Sequence, residues 1–147
     1  MQTLPRIFIK GSLLYLATGI TLGGVMLAAR GLRGSGLPFF WTTIHVHLLL
    51  VGFMLQFVFG VAYWMFPRNP KGWYTDRAAA LTFWLLNAGL LLRVLTEPSF
   101  GEGQPAWSGW VQAISALLQV AAGLTFIYNI WSRVRSFQGS PAGKPTR

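Results

Sequence analysis

The sequence predicts an all-α integral membrane protein with four transmembrane helices and both termini in the cytoplasm. Of 147 residues, 53% are hydrophobic and only 10% charged. The apolar residues come in four runs, residues 11–29, 42–66, 78–95 and 107–131. Each is near the length a helix rising 1.5 Å per residue needs to cross about 30 Å of hydrocarbon. The basic residues are also unevenly shared between the two sides of such a bundle. Arg6, Lys10, Arg68, Lys71, Arg77, Arg133, Arg135, Lys144 and Arg147 fall on the side of the termini, while Arg30, Arg33 and Arg93 fall on the other. Nine against three is a positive-inside pattern. The formal net charge of +9 is therefore read as topology, with no nucleic-acid partner.

The first run is longer than the 7–15 apolar residues of a signal peptide, and no small-x-small cleavage site follows it, so it is expected to stay as a helix. It carries Gly19 and Gly23, a small-xxx-small pattern that lets a second helix approach closely. Residues 30–38 form an external turn rich in Gly, and Phe39, Phe40 and Trp41 suit the interfacial aromatic belt. The second run ends at Pro67 and Pro70. Residues 96–106 contain Pro98, Gly101, Gly103 and Pro105 and are expected as an external loop. Residues 1–135 are read as one four-helix membrane domain, and residues 136–147 as a disordered polar tail.

Within the spans, the most informative residues are His45 and His47, the two histidines of the chain, at the start of the second run. Ionisable groups inside a bilayer are costly and usually functional. Residues two apart on a helix point about 200° from each other, so one iron cannot take both imidazoles. If both are ligands, they serve two different irons, one on each side of the helix. His45, Gly52, Gln56 and Tyr63 fall on one stripe of this helix, where Gly52 admits a flat ligand or a neighbouring backbone. The other side, from His47 through Met54 and Val58 to Val61, is apolar and suits a porphyrin edge, lipid or ordinary packing.

Gln112, Ser115 and Gln119 share a face of the fourth run and are read, like Asn87, as hydrogen-bonding neighbouring helices. Arg93 lies at the same membrane depth as the histidines, where it can snorkel to lipid phosphates or pair with a haem propionate, and Arg30 and Arg33 are further candidates. The acidic residues Asp76, Glu97 and Glu102 are assigned to loops. With no carboxylate inside a span, the chain lacks what a proton pump normally needs. It has no cysteine, so any haem is held non-covalently.

The run His45-Val46-His47-Leu48-Leu49-Leu50-Val51-Gly52, continuing to Trp64-Met65-Phe66-Pro67, resembles the catalytic subunit I of haem-copper oxidases and nitric oxide reductases. Arg30-Gly31-Leu32-Arg33 and Leu81-Thr82-Phe83-Trp84-Leu85 add to the likeness, which covers about 60 residues. In that family one helix opens on His-x-His, whose histidines bind a high-spin and a low-spin haem. An earlier family helix carries a single low-spin-haem histidine, and His45 also matches that position. The family subunit has about twelve helices in three four-helix arcs, of which this chain is one arc's worth. The family's copper-site histidines are absent here, which leaves no complete catalytic site on this chain alone.

The resemblance implies a haem b-binding membrane cytochrome of a bacterial or archaeal inner membrane, with His45 and His47 as iron ligands; position along the spans adds Arg93, Gly52, Arg30 and Arg33 as candidates around the cofactor. Its role would be electron transfer or the binding of a diatomic gas such as NO or O2. It would work with a redox partner or within a respiratory complex. The rival expectation is a cofactor-free accessory subunit of such a complex; a copper- or zinc-handling protein is disfavoured, because a helical His-x-His does not chelate. A monomer has no second ligand-bearing helix, so a homo-oligomer is expected, with haem at protomer interfaces. A trimeric ring is slightly preferred to a twofold dimer.

Overall fold

A computed structural model describes residues 3–66, 73, 75–99, 105–131, 133 and 134. The described residues form four long helices and no strand. They are α1 (Thr3–Arg33), α2 (Phe39–Met65), α3 (Asp76–Thr96), which runs into a 3-10 turn at Glu97–Ser99, and α4 (Ala106–Trp131). All four are long and apolar enough to cross a membrane. The expected tail at 136–147 lies outside the described residues, as do residues 100–104 of the expected loop at 96–106.

Local chemistry explains the helix ends. Pro5 sits in the first turn of α1, where its missing N–H costs no hydrogen bond. The helix stops where Gly34 adopts φ +68° and donates its N–H to Arg30 O at 3.2 Å. That is the left-handed cap for which glycine is suited. Phe66 closes α2 in an extended conformation (φ −78°, ψ 122°), as expected of a residue before Pro67. Thr75 caps α3, its Oγ1 accepting from Ala78 N at 3.1 Å.

The helices pack as two pairs, α1 along α2 and α3 along α4. An aromatic cluster joins the pairs at the end where α1 begins and α2 finishes. Phe59 of α2 stacks on Phe126 of α4 with ring centroids 3.8 Å apart. Tyr63 meets Phe126 edge-on at 5.3 Å, and Phe8 of α1 meets Tyr63 at 5.5 Å and Phe83 of α3 at 5.2 Å. At the same end Asn129 of α4 brackets Thr75, accepting from its N–H at 3.0 Å and donating to its carbonyl at 3.2 Å. Large apolar side chains such as Leu14, Leu27, Trp84 and Leu117 are left exposed, as lipid-facing residues are.

Three features differ from the sequence reading. Asp76 opens α3 and is not part of a loop, because Thr75 caps the helix just before it. Glu97 is buried in the turn that ends α3, not set in a solvent-facing loop, because Arg93 one helical turn earlier pairs with it. And α2 is not a regular α-helix: between Phe39–His47 and Gln56–Met65 it runs as a π-helix over Leu48–Leu55. Such segments are rare and frequently occur at functional sites. This one separates the histidine end of α2 from the Gln56–Tyr63 end.

Candidate functional site

The centre of the histidine end is the seam between α1 and α2. His45 lies with Nδ1 2.9 Å from Gly19 O. A carbonyl oxygen only accepts, so Nδ1 carries the proton and donates it. Nε2 is then left with its lone pair. The ring fits because α1 presents glycines there. A Cβ on Gly23 would stand 2.7 Å from His45 Cε1, and one on Gly19 would stand 2.5 Å from Leu49 Cδ2. The small-xxx-small pattern of α1 is thus the bed of His45 and Leu49. Gly24, the neighbouring glycine, meets nothing within 4 Å.

His47 leaves α2 on another side. Its Nδ1 donates to Thr43 O, one turn earlier in the same helix, at 2.9 Å, and it too keeps an Nε2 lone pair. The ring is half-buried, and further along the helix Leu50, Met54 and Val58 are each more than half exposed. Among the described residues no three metal-ligating side chains cluster.

Below the histidines, a polar chain crosses the apolar interior. Tyr15 of α1 donates to Asn87 Oδ1 at 2.8 Å, Asn87 Nδ2 donates to Gln56 Oε1 at 2.9 Å, and Gln56 Nε2 donates to Phe8 O at 3.3 Å. Gly52 lies within this region, and a Cβ there would stand 2.6 Å from Tyr15 Cγ and 2.9 Å from Leu90 Cδ2. The flat group that Gly52 admits in this structure is the Tyr15 ring. Side-chain hydrogen bonds between membrane helices contribute about 0.6 kcal/mol each, up to roughly 2. Three in series tie α1, α2 and α3 into one unit.

Arg93 belongs to the other helix pair. Its Nε is 3.0 Å from Glu97 Oε2, its Nη1 donates to Gln112 Oε1, and Gln112 Nε2 donates to Glu97 Oε2 at 3.1 Å. This triad closes the upper end of α3 against α4, and Ser115 extends the same face by donating to Gly89 O at 2.7 Å. The turn carrying Glu97 packs against the histidine-bearing segment Phe39–His47, so the triad and the histidines occupy the same end of the bundle. Arg30 and Arg33 are exposed at the end of α1, roughly 10–15 Å along the helix from Gly23 at 1.5 Å per residue.

One buried side chain has a role its charge did not reveal. Arg133 is 2% exposed and donates to Tyr63 O at 3.1 Å and to Phe66 O, carbonyls at the end of α2 that the helix itself cannot pair. The sequence signal was present, since a helix stopped by Pro67 needs donors for its last carbonyls. Sequence spacing did not say which cation would supply them.

With this geometry in view, comparison with known proteins is decisive on family. The family model described as cytochrome C and quinol oxidase polypeptide I matches residues 1–103, well over half of the chain. The chain belongs to this oxidase polypeptide I family. It is 27% identical over 145 residues to a putative cytochrome c oxidase subunit 1-beta of Streptomyces avermitilis, covering 89% of this chain and 25% of that protein. It is 24% identical over 145 residues to a probable cytochrome c oxidase subunit 1-beta of Nocardia farcinica, covering 91% of this chain and 24% of that protein. The chain thus spans about a quarter of the length of these oxidase relatives. No solved structure gives a significant match. The fold is consistent with this assignment: a multi-pass, four-helix membrane unit from the oxidase polypeptide I family.

Proposed function

We propose that this chain is a haem b-binding membrane cytochrome, serving electron transfer or the binding of a diatomic gas such as NO or O2. One observation carries the reading: both histidines spend Nδ1–H on a main-chain carbonyl and keep Nε2 free as a donor atom. That arrangement fixes the tautomer and ring direction and raises ligand basicity, as the outer-shell partner of a metal-bound histidine does. The donor chemistry fits haem iron. His45 and His47 would hold two different haems, because they leave α2 on different sides. The bound haem supplies the redox and gas-binding chemistry.

What the chain contributes is binding and orientation. Gly19 and Gly23 set the direction of His45, and Leu50, Met54 and Val58 give the His47 side an apolar wall that excludes water. Arg93 would hold a propionate while keeping its pair with Glu97. A guanidinium has five N–H donors, and its side chain here is 28% exposed. Arg30 and Arg33 stand further out as secondary anion partners.

A second imidazole for a haem held by His47 would come from another protomer, since the two histidines of the chain leave α2 on different sides. A homo-oligomer supplies it. A trimeric ring would pair His47 of one protomer with His45 of the next, whereas a twofold dimer would pair two copies of His47. The trimeric ring is slightly preferred to the dimer. Native mass spectrometry in mild detergent with haem quantified separates dimer from trimer, and a monomer with six-coordinate haem removes this assembly.

We infer a bacterial or archaeal inner-membrane protein with both termini in the cytoplasm, working with a redox partner or a respiratory complex. The orientation rests on the nine basic residues on the side of the termini against Arg30, Arg33 and Arg93 on the other. The function is tested by oxidised and reduced absorption spectra with and without CO or NO. Sharp bands insensitive to CO mean electron transfer, and ligand-shifted bands mean a gas site. A colourless chain that co-purifies stoichiometrically with a larger oxidase would instead be a cofactor-free accessory subunit.

A further inference from the structure

A cavity of about 530 Å³ opens between α1, α2 and α3, and neither histidine lines it. Leu14 and Thr18 of α1, Leu48 of α2, and Phe83, Leu91 and Val94 of α3 line it. It exists because α1 and α3 barely pack against each other, and the Tyr15–Asn87 hydrogen bond is what spans the gap. The rim residues Leu14 and Leu91 are 71% and 50% exposed, so the cleft opens sideways into the hydrocarbon.

The polar atoms on its wall have no proton left to offer. Tyr15 O–H goes to Asn87 Oδ1, both Asn87 Nδ2 hydrogens go to Gln56 Oε1 and Phe83 O, and Thr18 O–H goes to main-chain carbonyls of α1. A ligand that needs a donor, such as a quinone carbonyl, finds none. Nor is there room for a transmembrane helix inside the cleft. A helix about 10 Å across occupies on the order of 1,200 Å³ over the roughly 16 Å from Phe83 to Val94. What remains is a thin apolar chain.

Charge says which one. Gly11 and Phe83 share a depth, since a Cβ on Gly11 would lie 3.6 Å from Phe83 Cε2. Lys10 directly precedes Gly11, and Arg77 lies about 9 Å below Phe83 along α3. Both are exposed at the same end of the cleft, whereas Arg6 and Asp76 at that end already have partners within the protein. We propose that the cleft is a phospholipid site: one acyl chain of an anionic phospholipid lies between α1 and α3, and its phosphate sits between Lys10 and Arg77. The site is independent of haem.

The test is lipid retention by the purified full chain in native mass spectrometry, offered phosphatidylglycerol and phosphatidylcholine of equal chain length. The wild type retains one phosphatidylglycerol per protomer in preference. Lys10→Gln and Arg77→Gln each lower that preference about fivefold, the weight of one surface cation on an anionic lipid. Thr18→Phe fills the cleft and lowers retention of both lipids, Thr18→Leu does so partly, and Ile20→Phe, on an outward-facing position of α1, leaves retention unchanged. Equal retention of both lipids by the wild type and the charge variants overturns the proposal, as does full retention by Thr18→Phe or recovery of a quinone in place of phospholipid.

Discussion

His45 donates its Nδ1–H to the main-chain carbonyl of Gly19, 26 residues earlier in the chain, at 2.9 Å. The direction of the imidazole is therefore set by α1 and not by α2 alone. Gly23, one turn beyond Gly19, leaves the space the ring occupies.

Gly23→Ala tests this directly. The added methyl would meet His45 Cε1 at 2.7 Å, so the ring must move, at a cost of about 1–3 kcal/mol for overpacking. Under the proposed function, the spectrum or reduction potential associated with His45 shifts. Gly24→Ala, which meets nothing within 4 Å, changes neither. Identical spectra for the two variants would mean that α1 does not orient His45.

Asn87→Leu removes the middle of the chain that links Tyr15 to Gln56. Tyr15 O–H and Gln56 Oε1 lose their partner, and the unfolding midpoint in detergent should fall by the equivalent of about 1–2 kcal/mol with helical content unchanged. An unaltered midpoint would show that the polar chain adds nothing to helix association.

Arg93→Leu strips Glu97 of its cationic partner while leaving it buried beside Gln112. The single substitution should cost about 2 kcal/mol, and adding Glu97→Leu should recover much of it, because the uncompensated carboxylate is then gone. The proposed propionate contact adds a second readout: Arg93→Leu lowers haem occupancy or shifts its potential. If occupancy and potential stay as in the wild type, Arg93 serves only to hold α3 to α4.

The charge pattern predicts that reporter fusions report Lys144 in the cytoplasm and residues 98–104 outside. An external C-terminus would overturn the positive-inside reading.

The four spans were legible in the sequence because each is a long apolar run, and the helices extend those runs at most ends by absorbing flanking residues such as Thr3 and Phe39. The Gly19–Gly23 pattern was visible too, but its occupant was not, since a small-xxx-small notch does not encode which helix fills it. Leu48–Leu55 reads as an ordinary apolar stretch, with no proline to announce its π geometry. Glu97 and Arg133 were counted as loop acid and topological cation. Both are buried against partners set by tertiary contact, Glu97 on Gln112 of α4 and Arg133 on the end of α2. Charge spacing alone carries no trace of that second kind of contact.

The central claim is that His45 and His47 hold haem on different sides of α2, and haem content measured as the pyridine haemochromogen with the Soret spectrum tests it most directly. The wild type should carry haem, His45→Ala and His47→Ala should each alter the spectrum in a different way, and the double variant should be colourless. A colourless wild type after expression with ample haem, or a double variant that keeps the wild-type spectrum, would contradict the account.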